Sequence, residues 1–90
     1  MARFRLPNTL RPLTGGVGEV SVDAADVRAA LHALETVHPG FEERLLTADG
    51  ALRGFVNVFV GDTECRRLDG LDTQVDTDTV ITVVPAVAGG

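Results

Sequence analysis

The 90-residue sequence contains no lysine, tryptophan or tyrosine, and it has a single cysteine. Without lysine, no side-chain amine is present for an isopeptide bond, a Schiff base or acetylation. Cys65 cannot form a disulfide within the chain, and the cysteine and its two histidines lack the spacing of metal ligands. We therefore predict that the chain itself holds no disulfide, no metal and no cofactor.

Positive charge is also scarce, since eight arginines stand against thirteen acidic residues and the formal net charge is −5. A surface that follows a nucleic-acid backbone requires clustered basic residues, so nucleic acid is excluded as a partner. No apolar run approaches the roughly 20 residues that span a bilayer, and no secretory leader is recognisable. We expect a cytoplasmic protein without a membrane partner.

The composition is that of a small globular domain with 44% hydrophobic residues and few aromatics. A chain of this length supports only one hydrophobic core. We predict one domain over residues 1–85, followed by a flexible diglycine tail over residues 86–90.

The first third of the sequence has the pattern of a β-hairpin. Residues 1–7 alternate Phe4 and Leu6 with arginines and end at Pro7. The stretch "LTGG" at 13–16 is typical of a turn, and residues 17–23 alternate again, with Val20 and Val22 on one face.

A helix is predicted over residues 24–40, with Asp23 or Asp26 as its N-cap and Pro39 and Gly40 at its end. Apolar residues recur at helical spacing along one stripe, formed by Val27, Ala30, Leu31, Leu34 and Val37. Residues 41–53 indicate only a short helical turn, anchored by Phe41 and Leu45, and then a polar loop. A ferredoxin-like fold would need a second full-length helix here.

The remaining sequence predicts a strong strand at 54–60, a short return strand at 63–67 and a central apolar strand at 79–84. Period-two alternation places Val56, Val58 and Val60 inward with Ile81 and Val83, whereas Phe55, Asn57, Phe59, Thr82 and Val84 lie on the opposite face. The order of elements predicts an α+β fold of the ubiquitin-like β-grasp type. Its mixed sheet has four to five strands, with one main helix across one face.

The last five residues, "AVAGG", have neither charge nor bulk and follow Pro85, which ends the strand. Extended, five residues reach about 17 Å, far enough to enter the cleft of another protein. Glycine lets a backbone pass a narrow channel, because it has no Cβ. A terminal carboxylate is ionised and unreactive at neutral pH, so its chemistry requires activation by another protein.

The ending "VITVVPAVAGG" at 80–90, in a β-grasp pattern, resembles the ThiS/MoaD family of ubiquitin-like sulfur carriers. The segments "LRPLTGG" at 10–16 and 54–90 are most similar to the CysO-type carriers of thiocarboxylate-dependent cysteine biosynthesis. The resemblance implies a carrier that is not an enzyme.

In such a carrier, an E1-like enzyme uses ATP to adenylate the carboxylate of Gly90, and a sulfur donor converts it to a thiocarboxylate. A PLP-dependent cysteine synthase then consumes the sulfur and a zinc metallopeptidase releases the cysteine. ATP, PLP and zinc belong to these partners. The tail residues threaded into them would be Gly89, Ala88, Val87 and Ala86.

A partner should also contact the folded body, because five small residues offer little specificity. We predict that Phe59 and Val84 form an apolar patch beside the tail, with Asn57, Thr82 and Pro7 as further partner-binding residues. The alternative is that Phe55 or Phe59 packs under the loop at 47–53.

Other functions fit the same residues. The chain could be the small subunit of a molybdopterin synthase, or a carrier for thiosugar or thiamine biosynthesis. Two alternatives belong to other functional classes. The chain could be a ubiquitin-like protein modifier, or an interaction module whose terminal glycines have no chemical role.

Overall fold

The computed structural model describes residues 1–85, which form a five-stranded mixed sheet with two helices. The strands are β1 (Ala2–Arg5), β2 (Glu19–Val22), β3 (Val56–Val60), β4 (Thr63–Glu64) and β5 (Val80–Pro85). The helices are α1 (Val27–Val37) and α2 (Phe41–Leu45), and 3-10 turns occupy Arg11–Thr14, Cys65–Arg67 and Gly70–Asp72.

The C-terminal strand lies in the middle of the sheet, whose strand order is β2-β1-β5-β3-β4. It runs parallel to β1 and antiparallel to β3, while β1 and β2 pair antiparallel as predicted. This arrangement, with one main helix, confirms the predicted β-grasp fold. Both edges of β5 are paired at Ile81 and Thr82, whereas its last three residues, 83–85, pair with β3 alone.

One cluster of apolar side chains forms the core. The inward residues Val56, Val58, Ile81 and Val83 are fully buried, as the alternation predicts, and Val60 is half-buried. Helix α1 contributes Val27, Ala30, Leu31 and Leu34, and α2 contributes Phe41 and Leu45. Complete burial of one such side chain stabilises the fold by roughly 1.5–3 kcal/mol.

Helix α1 begins at the second of the two predicted caps, where the carboxylate of Asp26 accepts a hydrogen bond from the N–H of Ala29 at 2.7 Å. The prediction that Val37 belongs to the buried stripe is wrong, since 61% of its surface is exposed. Val37 is the last helical residue, so no following turn of α1 covers it.

The connection between β1 and β2 differs from the short turn predicted at 13–16. A 3-10 turn at Arg11–Thr14 fills part of a longer connection, and Gly15 and Gly16 after it adopt positive φ. Within this connection the buried Thr14 hydroxyl donates to the main-chain oxygens of Arg11 and Val17. The turn residues at 13–16 did not indicate these polar contacts of Thr14.

Two predicted strands are shorter in the structure. The strand predicted at 54–60 begins at Val56, which leaves Phe55 outside the sheet. The return strand predicted at 63–67 ends at Glu64, because Cys65 turns into the core and starts a 3-10 turn. Within residues 1–85, neither helix has the length and apolar character to cross a membrane.

Candidate functional site

The site is built around Val84 and Pro85, the end of the central strand, which we call the tail root. Pro85 still pairs with Val56 of β3 and lies at the edge of the described structure. The residues predicted to carry the chemistry lie outside the described residues; they are Gly90, Gly89, Ala88, Val87 and Ala86. In the sequence, five residues follow Pro85, and Gly90 is the last of them.

Strands β3 and β5 bring four of the predicted partner-binding residues together. Phe59 lies opposite Thr82, and Asn57 lies opposite Val84. Directly opposed residues on one sheet face have their Cβ atoms about 4.5–5.5 Å apart, so the four side chains form one continuous surface. They point away from the core face, because Val58 and Val83 between them are buried.

The exposure of this surface fits an apolar patch with access to solvent. Val84 is 41% exposed, and Phe59 is half-buried. The two residues belong to neighbouring cross-strand pairs and are therefore diagonal neighbours on the sheet.

Pro7, the fifth predicted residue, reaches the same region from the other side of β5. It lines a groove of about 400 Å³ together with Thr82, Val84 and Pro85, and with Arg5 and Arg11. We call this the β1 groove. The guanidinium of Arg11 is held there by a hydrogen bond from its Nε to the main-chain oxygen of Leu6 at 3.2 Å.

A second groove, of about 480 Å³, lies on the α2 side of the tail root, and we call it the α2 groove. Its apolar part includes Leu45, Val56 and Pro85, and its rim includes Arg44 and Arg53. Arg53 donates from Nη2 to the main-chain oxygen of Glu43 at 3.0 Å.

Phe55 lies in this groove and not on the sheet face where the alternation placed it. It is 55% exposed, so the alternative that it is covered by the loop at 47–53 is also wrong.

Arg66 completes the open face, and no pattern in the sequence indicated it. Its Nη1 donates to Oδ1 of Asn57 at 3.3 Å and lies 3.5 Å from Oε1 of Glu64, while its Nη2 donates to the main-chain oxygen of Arg53 at 2.7 Å. Asn57 is therefore already engaged within the body. The 3-10 turn at Cys65–Arg67 positions Arg66 for these contacts, two of which join it to residues 9 and 13 positions earlier in the sequence.

The two grooves beside the tail root contain more arginines than carboxylates although the chain is acidic, and among the described residues Glu43 is the one acidic residue that lines them. Four of the eight arginines line the two grooves that share Pro85 as a wall; they are Arg5, Arg11, Arg44 and Arg53. Among these, Arg5 lies 3.6 Å from the carboxylate of Glu19. Within residues 1–85, the other three have no carboxylate at ion-pair distance.

Cys65 is fully buried and lies away from this surface. Burial, followed by the neighbouring carboxylate of Glu64, raises the pKa of its thiol to about 11. A protonated, buried thiol is a poor nucleophile. The sequence pattern predicted that Cys65 belongs to the short return strand, but it follows that edge strand and begins a buried 3-10 turn.

The histidines form no metal site among the described residues, where no group of three or more potential ligands occurs. His32 is exposed on α1 with its Nδ1 3.7 Å from Glu42, whereas His38 is half-buried at the end of the helix.

Comparison with known proteins links this geometry to one family. The model of the ThiS family matches residues 4–90. The sulfur carrier protein CysO of Mycobacterium tuberculosis is 39% identical over 87 residues, which cover 94% of each chain. Small archaeal modifier protein 3 of Haloferax volcanii is 37% identical over 79 residues, covering 82% of this chain and 85% of the relative.

The likeness extends to solved structures. The crystal structure of the BexX/CysO complex of Amycolatopsis orientalis contains a chain with a TM-score of 0.94 and 34% identity, and the match covers 100% of both chains. Since the family model spans nearly the whole sequence and the fold agrees, the chain belongs to the ThiS family, as a ubiquitin-like sulfur carrier protein of the CysO type.

Proposed function

We propose that this protein carries sulfur as a thiocarboxylate on Gly90 and donates it for cysteine biosynthesis, without catalysing a reaction itself. The observation that carries the proposal is the position of β5, which is the central strand and leads directly into the diglycine tail. The end of β5 stays paired with β3 up to Pro85, which provides a fixed base from which a five-residue tail can enter a partner's active site.

The chemistry requires two steps on the terminal carboxyl group. The carboxylate of Gly90 attacks the α-phosphate of ATP in an E1-like enzyme, giving an acyl adenylate and pyrophosphate. A sulfur donor then attacks the acyl carbon and AMP leaves, so that sulfur replaces one oxygen. The product is ionised at neutral pH and is a soft nucleophile.

The body supplies recognition in this proposal. Phe59 and Val84 form an apolar patch of the kind that marks protein interfaces, and Asn57, Thr82 and Pro7 surround it. The CysO of Amycolatopsis orientalis was crystallised with BexX, which supports docking of such a carrier on a partner protein.

The cysteine pathway is tested with carrier that is already loaded. Sulfide cleavage of an intein fusion at Gly90 yields the thiocarboxylate without an activating enzyme. Incubation with a PLP-dependent cysteine synthase and its amino-acid substrate should then raise the intact mass above that of the thiocarboxylate, to a product that is one cysteine residue heavier than the carboxylate form. Addition of the zinc metallopeptidase should return the mass to that of the carboxylate form. A loaded carrier that keeps its mass in the first step contradicts the cysteine assignment.

A second candidate is a protein modifier, favoured by the 37% identity with small archaeal modifier protein 3. Conjugation would join Gly90 to amines of other proteins and produce adducts much heavier than the carrier. Incubation of the chain with the activating enzyme, ATP and a lysine-containing extract separates the two candidates by mass. Sulfur loading only replaces one oxygen atom of the carrier with sulfur, whereas conjugation adds the mass of a whole protein.

A further inference from the structure

The carrier chemistry creates a hazard, because an activated acyl group on a long tail can react with nucleophiles of its own body. Intramolecular encounters of this kind have effective concentrations in the millimolar range for short flexible connections. An amine that attacked the acyl carbon would form an amide, expel the leaving group and destroy the carrier. The positions of nucleophilic groups relative to the tail root therefore determine whether the body can react with its own activated Gly90.

We propose that the body is built to be inert toward its own activated carboxyl terminus. Positive charge at the tail root is supplied by arginine alone, and the chain's thiol and its α-amino group lie where the acyl carbon of Gly90 cannot meet them. This inference rests on the proposed activation of Gly90.

The arginines carry the first part of the argument. Arg44 and Arg53 in the α2 groove, and Arg5 and Arg11 in the β1 groove, share these grooves with Pro85. A tail of five residues, with a reach of about 17 Å, can bring Gly90 to either groove. Lysine would supply the same charge with a nucleophilic amine, whereas a guanidinium stays protonated in proteins and does not acylate.

The α-amino group of Met1 is excluded by the direction of the strands. Strand β1 runs parallel to β5, with Arg3 opposite Val80, so Met1 lies beside the start of β5 while the tail leaves from its end. Seven residue steps at about 3.3 Å place Met1 about 23 Å from Pro85 along the sheet. The tail falls short of that distance by several ångströms.

The thiol of Cys65 is excluded by burial. Its side chain has no exposed surface and lies in the core cluster, so the acyl carbon cannot approach it while the body is folded. Burial also keeps the thiol protonated at neutral pH.

The experiment places a lysine at the tail root and activates Gly90 chemically. An aryl thioester of the full chain, made from an intein fusion, is held in a mildly alkaline buffer, where part of the lysine amines is unprotonated. The variants are Arg44→Lys, at an exposed position, and Arg53→Lys. Attack by the lysine nitrogen forms the amide, breaks the bond from the acyl carbon to sulfur and releases the aryl thiol, which takes up the proton.

Both variants should lose the thioester at least threefold faster than the parent chain. Their product should be lighter than the hydrolysed carrier by one water molecule and resistant to hydroxylamine, and peptide mapping should place the amide at the new lysine. The parent chain should give only the hydrolysed carboxylate.

The matched control is Asp23→Lys, an exposed position directly after β2, whose last residue pairs with Ala2 at the far end of the sheet. It should behave as the parent does. Parent-like hydrolysis of both tail-root variants, equal cyclisation of Asp23→Lys, or cyclisation of the parent onto Met1 would each overturn the inference. Because the thioester is made without an activating enzyme, these outcomes leave the proposed carrier function unaffected.

Discussion

At the residue scale, Phe59 is the side chain that we propose as the main contact for a partner. It lies opposite Thr82 on one side and Glu64 on the other, in the middle of the open sheet face. Aromatic residues near the centre of an interface often account for more than 1 kcal/mol of binding free energy each. The sequence alternation predicted the sheet face of Phe59 correctly, because period two fixes which face a strand residue occupies.

We expect Phe59→Ser to remain folded and to be adenylated at least tenfold more slowly at limiting carrier concentration. Serine is preferable to aspartate, which would place a second carboxylate opposite Glu64. Pyrophosphate release measures the rate, and Val37→Ser, an equally apolar-to-polar change on the helix side, is the control. Adenylation of Phe59→Ser at the parent rate would remove Phe59 from the partner-binding surface.

Cys65 provides a second test at this scale, because its thiol titrates in a range where the chain has no lysine or tyrosine. The pKa of this thiol is raised to about 11 by burial in the folded state, above its usual value of about 8.5 in an unfolded chain. The resulting contribution to stability is complete below the unfolded pKa and is lost as pH rises through the folded pKa.

The free energy of unfolding should therefore fall between about pH 8.5 and pH 11, by at most about 1.4 kcal/mol per pH unit from this group. Urea titrations followed by circular dichroism measure the free energy of unfolding at each pH. In Cys65→Ala, the part of its fall with pH that comes from the thiol should be absent. Cys65→Ala should also accept and donate sulfur as the parent does. Loss of sulfur transfer in a folded Cys65→Ala protein would contradict the assignment of the chemistry to Gly90.

At the scale of elements, the turn between α1 and α2 depends on one carboxylate. Oε1 of Glu35 accepts hydrogen bonds from the N–H groups of Gly40 at 3.0 Å and of Glu42 at 2.9 Å. Gly40, the residue before α2, has no side chain to supply this cap. The bond from Glu42, and then that from Gly40, hold the pKa of Glu35 below its usual value.

A carboxyl group with a lowered pKa stabilises the folded state above its unfolded pKa, and this contribution disappears as pH falls through the folded pKa. Glu35→Gln should therefore reduce the urea midpoint near neutral pH, and the difference from the parent should shrink below about pH 4. Glu43→Gln, at an exposed position of α2, is the control. A difference that stays constant with pH would show that charge is not the cause.

Local patterns predicted the elements well where one face of each is buried. The alternation of β3 and β5 and the helical stripe of α1 specified the burial of Val58, Ile81 and Leu31. Patterns failed where an element ends, as at Val37 and at Cys65, because termination depends on tertiary contacts. They also missed Arg66, whose three partners come from β3, from β4 and from the loop before β3.

At the scale of the whole molecule, the fold separates two ends of the sheet. Because β1 and β5 are parallel, the start of the chain and the tail root lie at opposite ends, and the grooves with four arginines surround only the tail root. The order of elements predicted a mixed sheet with the C-terminal strand in a central position, but not which strand pairs parallel with it. The grooves could not be predicted from the sequence. They are formed by loops and by α2, and periodicity in the sequence does not determine how these segments are placed relative to one another.

The central claim, that Gly90 carries the sulfur, is tested most directly by intact mass. The purified chain is incubated with its E1-like activating enzyme, ATP and a sulfide source, and compared with a chain lacking Gly90. The full-length chain should become heavier by the difference between one sulfur and one oxygen atom, with fragmentation placing the change on Gly90, while the shortened chain keeps its mass. A full-length chain that is adenylated but never gains sulfur, or a shortened chain that gains it equally, would contradict the account.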